Sequence, residues 1–278
     1  MPEDTHTQDK QIQDEPILDS DSKDLLPSPH EAREQVSPQL RHHAMGHILT
    51  SAIEEGKHSV PVVPDPLVTK PNQLESWRVF KIMSEFVEGF DLIRKYTLAA
   101  SIFGSARHTF DEKVYQDATD LAGRLAKEGF AIITGGSAGI MEAANKGAFE
   151  AGGASVGLNV RLADNQQTNK YVTDTMTFDH FFVRKVMLTF ASGVYIYFPG
   201  GFGTFDEFGE ILTLVQTKNI KRVPIVLFGK EYWTPIITLF KEHLYEKYKT
   251  IDKEDLELYC IVDSVDEAFE YIMKNVAR

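Results

Sequence analysis

Val194-Tyr195-Ile196-Tyr197-Phe198-Pro199-Gly200-Gly201-Phe202-Gly203-Thr204-Phe205-Asp206-Glu207 is the stretch that decides the fold. An apolar run, 194–198, leads into it, and an amphipathic run, 207–215, leaves it. That order reads as strand, glycine turn and helix. Without Cβ atoms, Gly200, Gly201 and Gly203 can take positive φ and let a ligand touch bare backbone. The unpaired amides at the helix start then point at that ligand, as an anion such as phosphate requires. Glu207 lies one turn inside the helix and faces the same mouth. A carboxylate beside an anion cradle points to chemistry on a phosphorylated small molecule.

Outward from this stretch, strand and helix patterns alternate from Thr97 to the end of the chain. Strands are expected at 97–103, 130–134, 154–159, 171–177, 193–198, 223–228 and 258–262. Helices are expected near 111–128, 138–151, 180–191, 204–218, 230–245 and 264–275. Apolar strands alternating with amphipathic helices imply an α/β fold, a doubly wound parallel sheet covered on both faces. In such sheets ligands bind beyond the carboxyl ends of the strands, at the topological switch point. Ahead of the alternation, Gln73 to Arg94 carries apolar residues near helical spacing, from Trp77 through Phe80, Met83 and Val87 to Phe90. That helix can cover the sheet or join a subunit contact, and packing on the sheet is the expected role.

Two more glycine turns follow strands. Gly104-Ser105 offers close approach and a hydroxyl, with Arg107 beside it as ligand anchor or surface charge. Gly135-Gly136-Ser137-Ala138-Gly139 opens a helix and forms a second anion nest. It is not Gly-x-Gly-x-x-Gly and lacks the Lys-Ser/Thr of a P-loop, which disfavours a nicotinamide dinucleotide site or an NTPase. Glu142 and Asn145, in the first turns of that helix, can hold sugar hydroxyls or simply cap and solvate it. Upstream of the opening stretch stands His180-Phe181-Phe182-Val183-Arg184-Lys185. Arg184 can pair with a phosphate or stabilise negative charge. His180 is a further candidate acid or base, although a histidine at a helix start commonly has a structural role.

Residues 1 to about 70 differ in character from the rest. They are acidic and polar, and the stretch 59–66 is proline-rich. This extension is expected to be disordered or loosely docked, ahead of one domain over 71–278. Its His42, His43 and His47 lack a partner at ligand spacing, so a solvated tail is expected rather than a metal site. No apolar run approaches the ~20 residues of a membrane span. The start, Met1-Pro2-Glu3-Asp4, does not read as a signal peptide. The lone Cys260 cannot form an internal disulfide, so a cytoplasmic setting is expected. A net charge of −12 argues against a nucleic-acid binder.

These residues resemble the LOG ("Lonely Guy") family, many of whose members carry the label lysine decarboxylase. The family signature is Pro-Gly-Gly-x-Gly-Thr-x-x-Glu, and Pro199 to Glu207 fit every fixed position. An Arg-Lys pair ahead of it is matched by Arg184 and Lys185, and the turns at 104–105 and 135–139 also match. The similarity covers about residues 97 to 245, and the helix before it resembles that of longer bacterial members.

The resemblance implies a Rossmann-like fold and a phosphoribohydrolase reaction. A nucleoside 5′-monophosphate and water give free base and ribose 5-phosphate. It implies catalysis by Arg184 and Glu207. It implies substrate binding by the three turns, including Pro199, Phe202 and Thr204, and by Glu142, Asn145 and Lys185. It further implies no metal or organic cofactor, and a homodimer or larger homo-oligomer. Glu142 stands where short plant-type members carry glycine, which argues against strict cytokinin specificity. Whether Arg184 serves the phosphate or the departing base stays open. Lysine decarboxylation is not expected, because no lysine is placed to form a Schiff base with pyridoxal phosphate. The alternative is a non-catalytic carrier or sensor of nucleotides or cofactors on the same fold.

Overall fold

The computed structural model describes residues 75–107, 111–161 and 167–277. The acidic extension, with its histidines and proline-rich stretch, lies outside them. Seven parallel strands form one sheet: β1 (Ala99–Phe103), β2 (Ala131–Thr134), β3 (Ser155–Val160), β4 (Asp174–Phe178), β5 (Val194–Tyr197), β6 (Ile225–Phe228) and β7 (Cys260–Val262). Their order is β4-β3-β2-β1-β5-β6-β7. The chain starts in the middle, winds out to β4, and returns to the other side of β1 with β5. The switch point therefore lies between β1 and β5, whose following loops carry Gly104-Ser105 and the Pro199–Thr204 turn.

Alternate residues of each central strand feed opposite faces. Phe103, Ile133, Tyr195, Tyr197 and Leu227 join one core, and Ile102, Ile132, Ile196 and Val226 join the other. The first face is covered by α1 (Glu75–Ile93), α4 (Phe181–Phe190), α5 (Phe202–Gln216) and α6 (Lys230–Leu239). The second is covered by α2 (Glu112–Lys127), α3 (Ile140–Glu150) and α7 (Val265–Asn275). The expected Rossmann-like, doubly wound sheet is thus present. The side chains of Asp111 and Ser264 cap α2 and α7 by accepting from Lys113 N and Glu267 N.

Three details depart from the sequence expectation. β4 begins at Asp174 rather than near 171, because the Asn169 side chain accepts from the Tyr171 amide and holds that segment in a turn. The helix expected at 230–245 is α-helical only to Leu239 and continues as a π-helix over Phe240–Lys247. α1 packs on the core as expected, with Ile82 and Phe86 against it, but buries only part of its apolar set. It seats Leu92 and Ile93 in the core and leaves Trp77, Phe80, Met83, Val87 and Phe90 exposed.

Candidate active site

At the carboxyl ends of β1 and β5, the three glycine turns are tied together by backbone bonds. Ser105 N donates to Pro199 O (3.1 Å), and Ile140 N donates to Ser105 O (3.0 Å). Gly139, at φ 69°, brings its Cα so close to Ser105 O that a Cβ would overlap it. These contacts shape a cleft of about 300 Å³. Gly104, Ser105 and Arg107 line it from the β1 loop, and Gly135 and Met141 line it from the β2 turn and α3. Phe181 and Arg184 enter from α4, and Gly201, Gly203, Thr204 and Glu207 from the start of α5. The volume is at the small end of the range for small-molecule sites.

The expected positive φ at Gly200, Gly201 and Gly203 is not found. The backbone runs extended through Gly201 (φ −101°, ψ −159°) straight into α5, so no left-handed residue is needed. Glycine serves space instead. A Cβ on Gly200 would strike the Thr204 side chain, and Gly201 opens onto empty space. Gly201 gives α5 no side-chain cap, and the first α5 amide bonded to the backbone of its own turn is Phe205 N, to Gly201 O (3.2 Å). The amides ahead of it are free to meet an anion, with the positive end of the helix dipole behind them.

Arg184 and Glu207 reach the cleft from neighbouring helices. Arg184 Nε donates to Leu158 O at the end of β3 (2.8 Å). Its Nη2 occupies the space left by the missing Cβ of Gly135. Burial holds the guanidinium below its ordinary pKa, against the pull of the Glu207 carboxylate. Burial likewise pushes the Glu207 carboxyl up to about 7; Arg184 opposes this and Asp206 adds to it. The two groups sense each other's charge without a direct salt bridge, and both line the cleft. Below Glu207, the fully buried Tyr197 donates its hydroxyl to the Glu207 backbone carbonyl (3.2 Å) and stacks on Phe103.

Other sequence-derived candidates are placed elsewhere. Asn145 is buried: its Oδ1 accepts from Thr134 Oγ1 (2.7 Å) and Asn169 Nδ2 (2.9 Å), and its Nδ2 donates to Ser155 Oγ (2.9 Å). It buttresses the β2 turn. Gly136, at φ 72°, packs on the Asn159 side chain, and the buried Ser137 accepts at its carbonyl from Asn169 Nδ2. Pro199 and Gly200 use their carbonyls to hold Ser105 N and the Tyr232 hydroxyl. Lys185 turns away to Asp206 (2.6 Å) and Glu210 (3.6 Å). Glu142 sits beside Tyr115, whose phenol burial and this carboxylate push up to about 12. Phe202 is 95% exposed. Sequence reasoning passed over Phe181 and Met141 as cleft residues. Phe181 was within reach, because it stands three residues before Arg184 and shares its helix face.

Fold and site together define a Rossmann-like α/β protein with a half-buried arginine–glutamate pair at the switch point of its sheet. The family model described as "Possible lysine decarboxylase" matches residues 141–272. An uncharacterised protein of Archaeoglobus fulgidus is 31% identical over 119 residues, 43% of this chain and 78% of that protein. Cytokinin riboside 5′-monophosphate phosphoribohydrolase LOG5 of Arabidopsis thaliana is 32% identical over 45% of this chain and 56% of its own length. The chain belongs to this LOG family. Among solved structures, TM1055 superposes with a TM-score of 0.50 at 24% identity, covering 64% of this chain and 99% of that one. The molybdenum cofactor carrier protein of Chlamydomonas reinhardtii gives 0.49 at 23%, over 64% and 97%. The likeness to TM1055 concerns the fold alone.

Proposed function

We propose that the protein is a nucleoside 5′-monophosphate phosphoribohydrolase, acting on AMP-like or cytokinin riboside monophosphates. The observation that carries this reading is the half-buried Glu207 carboxyl, coupled to Arg184, in a cleft fronted by the free amides of α5. The Arabidopsis relative's name describes that reaction and supports it.

In this reading the 5′-phosphate meets the amides of Gly203 and Thr204, and the ribose lies over Glu207. Breaking the C1′–N bond sends its electron pair to the base and leaves oxocarbenium character on the ribose. The Glu207 carboxylate stabilises that charge and orients the water that adds to C1′; the new C1′–O bond replaces C1′–N, and the proton the water gives up ends on the departing base nitrogen. Arg184 supplies positive charge to the phosphate or to the departing base. Holding the phosphate away from the scissile bond turns binding into orientation. Phe181 and Met141 give the apolar side of the cleft on which a base can lie. The exposed stripe on α1 is assigned to a contact between copies of the chain in a homo-oligomer.

The test is a panel of AMP, GMP, CMP and N6-isopentenyladenosine monophosphate, incubated without added metal and resolved by chromatography. Release of free base with ribose 5-phosphate supports the reading and ranks the bases. Binding of every nucleotide without release would instead favour a carrier.

A further inference from the structure

The helix that carries Arg184 is braced by a residue outside the segment matched by the family model. His180 N-caps α4 but makes no capping bond with its own side chain. Glu85 of α1 takes over that end. Its Oε1 accepts from Asp179 N (3.1 Å), and its Oε2 accepts from His180 N (3.2 Å). Oε1 also lies 3.0 Å from His180 Nδ1. The side chains of the pair are only 12% and 17% exposed. One turn further along α1, Gly89 lets that helix lie directly on Met187; a Cβ there would sit 2.6 Å from the Met187 sulfur. α1 thus holds α4 at two points, polar at its start and apolar at its middle. Arg184 N in turn bonds His180 O (3.3 Å) in the first turn of α4.

We infer that Glu85 is a positioning residue: it fixes the start of α4 and so sets where the Arg184 guanidinium stands in the cleft. This rests on reading Arg184 and Glu207 as the working pair of the site. It also gives His180 its place, as a partner of Glu85 rather than an acid or base in the cleft, among whose lining residues it is not found. The carboxylate suits the task because it accepts three bonds at once, whereas the Gln amide has a single acceptor oxygen.

The experiment uses the full chain, with Glu85→Ala, Glu85→Gln, Arg184→Ala and the Glu85→Ala/Arg184→Ala double variant. Glu88→Ala, on the exposed side of the same helix, is the control. Hydrogen exchange is followed in the peptide covering 179–184, and AMP cleavage is measured as kcat/KM. In Glu85→Ala, exchange there should speed up about tenfold while the central strands keep their protection. Its kcat/KM should fall roughly tenfold, because small displacements of a catalytic group are costly. Glu85→Gln should fall between wild type and Glu85→Ala, and Glu88→Ala should match wild type in both readouts. In the Arg184→Ala background, removal of Glu85 should cost nothing further. Unchanged exchange, wild-type kcat/KM, or a loss that adds in full to that of Arg184→Ala would each overturn the inference. If wild type cleaves no monophosphate, the reading of the site fails, and exchange alone decides the brace: faster exchange confined to 179–184 upholds it, and an unchanged pattern sinks it.

Discussion

Glu207 holds a carboxyl where burial opposes ionisation, which costs stability and prepares chemistry. Its pKa of about 7 in the folded chain stands above the ordinary 4.5. The folded state therefore binds the proton more tightly than the unfolded state. Glu207 favours folding while protonated, and that contribution is lost as pH rises from about 4.5 through 7. Glu207→Gln should then raise the melting temperature at pH 8 and leave it nearly unchanged at pH 4, which thermal scans at the two pH values would check. The proposed reaction needs the carboxylate, so kcat should climb with pH through an apparent pKa near 7. Arg184 holds that pKa down, so Arg184→Ala should move the acid limb to higher pH as well as slow turnover. A limb that stays put would mean that the limb reports another group.

Among the elements, what matters is the knot of turns after β1, β2 and β5. Gly139 combines a positive φ with contact on Ser105 O. Gly139→Ala should therefore destabilise by about 1–3 kcal/mol, measurable by urea unfolding. Gly135→Ala leaves an ordinary backbone but invades the space of Arg184 Nη2. It should cost turnover more than stability, on the order of tenfold or more in kcat/KM, and a fully active Gly135→Ala would place Arg184 outside the reaction. Much at this scale was legible beforehand. The strand–turn–helix pattern of 194–215 and the placement of Glu207 followed from apolar runs and glycine spacing. The conformations of Gly200, Gly201 and Gly203 did not, because composition reports that backbone is accessible without telling whether freedom of φ or freedom of space is used. Asn145 stayed open for a related reason: a polar residue early in a helix reads alike whether it faces a ligand or joins the buried network seen here. Nothing local in the sequence connects Glu85 with Asp179 and His180, which are brought together only by the docking of α1 on α4.

For the whole molecule, charge and apolar surface divide the work. With a net charge of −12, an anion entering the cleft would depend on a local set of backbone amides with Arg184 and Arg107. On α1, Phe80, Met83, Val87 and Phe90 recur at spacings of three and four and remain exposed, and Phe90 meets the exposed Phe190 of α4. That spacing suits a helix-to-helix seam. Size-exclusion chromatography with light scattering should find a dimer or larger assembly. A Phe80→Asp/Val87→Asp variant should shift toward monomer without unfolding; an assembly unchanged by that variant would place the contact elsewhere. The central claim is that the Glu207 carboxylate drives cleavage of an N-glycosidic bond. Its most direct test is to incubate wild type and Glu207→Gln with AMP and quantify adenine and ribose 5-phosphate. Wild type should release the two in equal amounts, and Glu207→Gln should bind AMP but turn it over at least about 10²-fold more slowly. Equal rates from the two proteins would contradict the account.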